Sequence, residues 1–377
     1  MNILYYFSLL LLLVACSSQP SINSNIKTIS IHLEDKVEAD VSSIIDSAYF
    51  IVPETNDSSI IGTIGTMVIT DRIILTDRQT NKIIQFKPNG DHIATIEKVG
   101  NGPGEYIRID GLCTNSKNGN IIVLDAMKNK LITYDNNFKF INEEETPVTY
   151  GPTTFAIMDN DIFAFEQSIN AIKTNMKYNI FIKSSDNTTH LLPFNKTANT
   201  IFSPRIPLYN INDTLIYVPT YNDTIYNIFA EKAEARIHFN FGDKWINEDI
   251  VYNPAIDKNP ILFMEKLKEH NFVYFFNELE NSTHIYADFS YKGDEYILTY
   301  NKKNNKQILL RNNNKEIFSE KPIYILDDFF VFPISYSEYI NMLHSENFLF
   351  KGKDNLLQIK EKVKEESNPI LMFIKFK

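Results

Sequence analysis

Short apolar runs, punctuated by turn-forming residues, recur along this chain on a regular beat. Ile73-Ile74-Leu75 leads into Asp77-Arg78-Gln79-Thr80-Asn81-Lys82-Ile83-Ile84-Gln85-Phe86. Ile121-Ile122-Val123 leads into Asp125-Ala126-Met127-Lys128-Asn129-Lys130-Leu131-Ile132-Thr133-Tyr134. Matched positions, 77 with 125 and 81 with 129, are offset by 48 residues. Each copy predicts two strands joined by a tight polar turn. A period in the forties, built only from short strands and turns, is the mark of a β-propeller blade.

The same pattern can be followed in both directions. Residues 26–33 and 44–52 predict early strands. The first full blade spans residues 61–97, with strands at 67–70, 73–76, 82–87 and 92–96. Pro88-Asn89-Gly90-Asp91 is its outer hairpin turn, because Pro presets one dihedral and Asn-Gly supplies positive φ. Gly100-Asn101-Gly102-Pro103-Gly104-Glu105-Tyr106 is too rich in Gly and Pro for a strand interior and predicts a tight crossing to the second blade. That blade runs to about residue 145. Strands follow at 155–165 and 178–182, and Asn175 and Asn222 keep the beat 46 and 47 residues on. Residues 215–218, 222–228 and 236–241 build the fourth blade. The rhythm breaks over 242–282, where 261–270 has helical spacing and predicts an inserted helix. Strands resume at 284–291, 295–300 and 307–311. A sixth unit spans 317–334, and 354–366 predicts a second helix. Residues 370–376 are an apolar final strand that would be an aggregation hazard if uncovered. Ring closure explains it, with pairing to the N-terminal strand around Tyr49. The expected fold is all-β: a six-bladed β-propeller with four-stranded antiparallel blades, closed by N- and C-terminal strands.

Upstream of this domain the pattern changes. Residues 3–14 are uncharged and apolar, too short to span a bilayer but suited to the core of a secretion signal. The run ends in Leu13-Val14-Ala15-Cys16, which resembles the bacterial lipobox, although no Lys or Arg precedes it. The expected organisation is a lipoprotein signal peptide at 1–15, a flexible tether at 16–25 and the propeller at 26–377. Cys16 would carry lipid and tie the domain to a membrane. Only Cys113 would then remain, so no intrachain disulfide could form.

Composition refines this reading. Hydrophobic residues make up 44% and charged residues 22%, enough to bury a sizeable core. The 27 Phe and 20 Tyr suit pleated, half-buried surfaces. A net charge of −10 disfavours nucleic acid as a partner. The domain is read as a monomer.

Several segments carry a family resemblance: Gly100 to Tyr106 after Gly90-Asp91-His92-Ile93, Asn222-Asp223-Thr224-Ile225-Tyr226, Asn368-Pro369-Ile370-Leu371-Met372, and the lipobox. Together they resemble the six-bladed β-propeller lipoproteins of Bacteroidetes, distant relatives of the NHL-repeat propellers. The resemblance implies the fold and a lipid-anchored envelope location at the outer membrane. It supplies no catalytic residues.

Candidate chemistry is sparse. The seven His residues have no His or Cys at zinc-ligand spacing, and neither a Gly-x-Ser-x-Gly elbow nor a phosphate-binding Gly-Lys-Ser/Thr loop occurs. Asp77 and Asp125 either line one mouth of the ring or cap turns by accepting backbone N–H groups. Glu105 follows the glycine turn and either faces the channel or anchors its own loop, with Arg108 as its ion-pair partner. Trp245 is the sole Trp, which lowers the case for a sugar platform. Asp46-Ser47-Ala48, Asp213-Thr214-Leu215 and Asp223-Thr224-Ile225 resemble a short O-glycosylation sequon. The expected function is a non-enzymatic binding module for a protein, peptide or glycan, needing no cofactor. The alternative is a calcium-dependent hydrolase or lactonase-like enzyme with carboxylates at the channel. A purely structural role in a neighbouring complex is a third reading.

Overall fold

The structure is a computed structural model describing residues 26–377 apart from 39–40, 148–153, 160–161, 168–176, 186, 313–318 and 346–350. The signal segment, Cys16, the whole tether and Asn175 lie outside the described residues.

Two strands, β1 (Lys27–Ser30) and β2 (Ile45–Ile51), precede the first blade. Blade 1 is β3 (Ile64–Ile69), β4 (Ile73–Asp77), β5 (Lys82–Phe86) and β6 (His92–Ile96). Blade 2 is β7 (Gly111–Thr114), β8 (Ile121–Asp125), β9 (Lys130–Tyr134) and β10 (Phe140–Glu145). Blade 3 is β11 (Thr154–Asp159), β12 (Ile162–Glu166), β13 (Tyr178–Lys183) and β14 (Thr188–Pro193). Blade 4 is β15 (Leu208–Ile211), β16 (Thr214–Tyr217), β17 (Thr224–Ile228) and β18 (Ala233–Asn240). Three helices then intervene, α1 (Glu248–Val251), α2 (Pro254–Asp257) and α3 (Pro260–Glu269). Blade 5 is β19 (Val273–Glu280), β20 (His284–Tyr291), β21 (Asp294–Asn301) and β22 (Lys306–Arg311). Blade 6 begins with β23 (Tyr324–Leu326) and β24 (Phe329–Ile334). After α4 (Tyr336–His344) and α5 (Lys353–Gln358) it is completed by β25 (Ile370–Phe376) and, as its fourth strand, β2. The result is six four-stranded antiparallel sheets in a ring, the six-bladed β-propeller expected from the repeat.

Strand periodicity explains why the ring holds. Side chains alternate between the two faces of a strand, and in this ring each face meets a different neighbouring blade. Ile73 and Leu75 pack with Val331 and Phe373 of blade 6, whereas Ile74 packs with Leu112 and Val123 of blade 2. Six such apolar layers fill the six gaps between successive blades. Apolar runs follow from this, because the second and third strands of a blade are covered by neighbouring blades on both faces. The repeated Asn is equally physical. Asn81 and Asn129 sit at φ 54° and 53°, a left-handed turn position that Asn tolerates better than most residues.

Ring closure is a strand pairing between chain ends. β25 lies between β24 and β2, with Phe373 opposite Val331 on one side and Tyr49 on the other. The Tyr49 and Phe373 rings stack with centroids 4.4 Å apart.

Four features depart from the expectations. β1 forms a parallel fifth strand on the outer edge of blade 4, beside β18. The expected break over 242–282 contains the inner strand of blade 5, β19, along with the expected helix. Its pattern is obscured by a register shift between Tyr274 and Asn277, where Phe275 adopts φ 55°, and by three buried polar residues beyond it. A capping box of Ser335 with Glu338 starts the unanticipated α4. The second predicted helix is shorter than 354–366, ending at Gln358 and continuing as a 3-10 turn.

Candidate functional site: the central channel

Five of the six inner strands, β3, β7, β11, β19 and β23, together with β15 and the segment leading into it, enclose a channel of about 860 Å³. At one end it is bordered by Arg78, Asp110 and Arg205, and at the other by Lys117, Asp159 and Asp213. Aliphatic and hydroxyl side chains such as Thr66, Val68, Leu112, Thr114, Ile206 and Ile323 line the walls between. The thiol of Cys113, also in the wall, is unpaired, and burial pushes its pKa up.

The charged end is assembled from separate blades. Arg78 directly follows β4 of blade 1, Asp110 precedes β7 of blade 2, and Arg205 lies ahead of β15 of blade 4. The Arg205 guanidinium pairs with Glu320 through Nη1 at 2.9 Å. Asp110 receives Arg108 at 2.6 Å and the Ala126 N–H at 2.9 Å. The Arg78 pKa is lowered, first by burial between the channel walls and then by the positive charge of Arg205, with Asp110 opposing. Arg78 is nonetheless solvent-accessible, because the channel itself is open space.

A second layer of charge lies behind the wall. Tyr209, a wall residue, donates to Glu278 Oε2 at 2.8 Å. Burial, followed by the neighbouring Glu280, raises the Glu278 pKa well above the carboxylate range. Glu280 is engaged by Arg236 at 2.5 Å and by Lys302. Between blades 5 and 6, Lys321 bridges Asp288 (3.3 Å) and Glu295 (3.4 Å). Burial would lower the Lys321 pKa, but these two carboxylates raise it.

The residues singled out in the sequence occupy other places. Asp77 Oδ1 accepts the N–H groups of Thr63 (2.8 Å) and Gln79 (3.1 Å), and Oδ2 accepts the Thr80 hydroxyl (2.6 Å). Burial alone would raise its pKa, yet these bonds hold it below the usual value. Asp125 repeats the arrangement with Ile107 (2.6 Å), Met127 (3.0 Å) and Lys128 (3.1 Å). Glu105 Oε2 accepts the Gly102 N–H at 2.7 Å, and a side chain at Gly100 would overlap this carboxylate. The expected Glu105–Arg108 pair is replaced by Arg108–Asp110. None of Asp77, Asp125, Glu105 and Arg108 is among the channel-lining residues. Trp245 stacks on Phe241 at 5.4 Å as part of the packing between blades 4 and 5. Of the sequon-like triplets, 46–48 lies in β2, 213–215 at the β15–β16 turn and 223–225 at the start of β17. Among the described residues no cluster of three or more His, Cys, Asp or Glu side chains is placed to hold a metal ion.

The channel residues that sequence reasoning passed over do carry a signal. Asp77 and Asn81 recur as Asp125 and Asn129 because every blade must make that turn. Arg78 faces the channel at the position where the second copy has Ala126. Between the retained Asp77 and Asn81, positions 78 to 80 all vary between the copies, and it is at such varying positions that an individual blade can contribute something of its own.

Six radially stacked blades around a lined channel define the molecule as a six-bladed β-propeller. The chain belongs to the family described as a domain of unknown function, DUF4934, whose model matches residues 26–375. Among solved structures it is similar to a Bacteroides fragilis protein described as exported, at 17% identity and TM-score 0.77, covering 93% of this chain and 99% of that one. It is also similar to a DUF4221 family member from Bacteroides vulgatus, at 9% identity and TM-score 0.54, covering 89% of this chain and 97% of that one. No curated protein matches the sequence.

Proposed function

We propose that this chain is an exported, lipid-anchored propeller that binds a ligand in its central channel without transforming it. The observation that carries the reading is the channel itself. Side chains from three blades converge on one end of a preformed cavity whose volume is in the range of small-molecule sites. The carboxylates that recur in the repeats, Asp77 and Asp125, are satisfied by backbone N–H groups, which supports a structural use for them. Anchoring rests on the lipobox ending in Cys16 and on the exported description of the Bacteroides fragilis relative. No helix among the described residues is long and apolar enough to cross a membrane. The outer membrane is the proposed location, with lipid at Cys16 as the attachment.

Two measurements test this. Native mass spectrometry of the chain extracted from its own membrane should show a bound species, and Thr114→Trp, which narrows the channel, should remove it or reduce its occupancy while the melting temperature is kept. A bound species indifferent to Thr114→Trp would place binding elsewhere. Metabolic labelling with radioactive palmitate should mark the wild type and leave Cys16→Ser unlabelled; equal labelling of both would refute the anchor.

A further inference from the structure

We infer that the end of the channel bearing Arg78 and Arg205 takes the oxyanion head of a small amphiphilic organic acid, whose apolar body occupies the channel below. This deepens the binding reading and rests on it.

Geometry comes first. Arg78 follows β4 of blade 1, while Arg205, ahead of β15, is held by its N–H on Asn277 of blade 5 and by its guanidinium on Glu320, and both line the same end of one cavity. Among the described residues the Arg78 guanidinium makes no hydrogen bond or ion pair, which leaves its fork of donors available. Its nearby carboxylate, Asp110, is already engaged by Arg108 and by a backbone N–H. Arg205 commits only Nη1, to Glu320.

Arg78 is also held in place. A Cβ at Gly65 would lie 2.5 Å from Thr76 Oγ1, 2.9 Å from Arg78 Cγ and 3.3 Å from its Nε. The missing side chain on β3 therefore forms the trough along which the arginine stem runs into the channel. Two like charges sharing a partly desolvated space raise each other's free energy, and an oxyanion between them reverses the sign of that interaction. The depressed Arg78 pKa, set by burial and then by Arg205 against the opposing pull of Asp110, agrees with this geometry.

Below this head, the partly exposed Val68, Met158, Ile206 and Ile325 offer apolar wall, and about 860 Å³ exceeds what an inorganic ion fills. The whole chain is acidic, with 47 Asp and Glu against 37 Lys and Arg. The positive end is thus a local reversal of sign, selective for an anion small enough to enter the channel.

The test uses the full chain in nanodiscs, with empty nanodiscs as blank, titrated calorimetrically with hexanoate, hexyl phosphate, hexanol and inorganic phosphate. One or both hexyl anions should bind at least about tenfold tighter than hexanol and inorganic phosphate, and the comparison between them identifies the head as carboxylate or phosphate. Arg78→Gln should weaken the favoured anion at least about tenfold while leaving any hexanol binding unchanged. Gly65→Ala, which pushes Arg78 from its trough, should give an intermediate loss. Equal binding of hexanol and the hexyl anions, or indifference to Arg78→Gln, would overturn the oxyanion head while leaving a channel-binding propeller intact. Inorganic phosphate binding as tightly as hexyl phosphate would overturn the amphiphile. Binding of no probe would overturn the inference as a whole, and the native mass spectrum would still judge the broader reading.

Discussion

Asn368→Ala is expected to destabilise the propeller by about 3–5 kcal/mol, read as a fall in the urea midpoint at unchanged m-value. Asn368 stands just before the closing strand β25 and is almost fully buried. Its Nδ2 donates to the carbonyls of Glu54 and Ser59, both at 2.9 Å, and its Oδ1 accepts the Ile61 N–H at 2.8 Å. One amide thus satisfies three backbone groups of the segment that carries the chain from β2 into blade 1. That segment lies 307 to 314 residues away in sequence. Removing the amide strands the Ile61 N–H and the Ser59 carbonyl, at about 1–3 kcal/mol for each that water cannot reach, while the Glu54 carbonyl keeps the Ser59 hydroxyl at 2.7 Å. Asn368→Asp keeps the shape and the acceptor but loses both donors, setting a carboxylate against two carbonyls. It should cost at least as much as Ala near neutral pH. If Asp proves harmless, the bolt between the chain ends is not this amide.

The fold was legible because propeller blades impose local rules that each residue must obey. Asn81 and Asn129 announce the turn, apolar runs announce strands buried on both faces, and the apolar terminus 370–376 announces a partner strand. Where legibility failed, a tertiary constraint overrode the local pattern. β19 keeps Glu278 and Glu280 buried because Tyr209, Arg236 and Lys302 from elsewhere in the fold meet them, and a sequence window sees only polar residues there. β1 gains its place by pairing with β18, more than two hundred residues on. The channel was the least legible part. Repetition drew attention to Asp77 and Asp125, which maintain the turns, while Arg78, Asp110 and Arg205 come from three blades with no common spacing.

Glu166→Gln is expected to flatten the pH dependence of stability relative to the wild type between about pH 4.5 and pH 8. Glu166 ends β12 and is 1% exposed, and its Oε2 is buried without a hydrogen-bond partner among the described residues. Burial pushes its pKa up from 4.5 to about 8. The folded state therefore retains a proton that the unfolded chain has released, so stability falls as pH rises through this window. The contribution is fully present below the unfolded value and lost once pH passes the folded one. The loss is on the order of a few kcal/mol, because each pKa unit corresponds to about 1.4 kcal/mol. Gln fills the same volume without a titrating proton. The wild-type-minus-variant difference should consequently decline with pH even though the acidic chain as a whole also loses stability in alkali through self-repulsion. Tyr217 supplies the control: its hydroxyl is buried without a partner among the described residues, and burial followed by Glu166 raises its pKa. Tyr217→Phe should be neutral or mildly stabilising at low pH, since it removes a buried polar atom that makes no bond. Parallel denaturation midpoints for wild type and Glu166→Gln from pH 5 to pH 9 would show that Glu166 reaches water or a partner, and the buried acid would have to be abandoned.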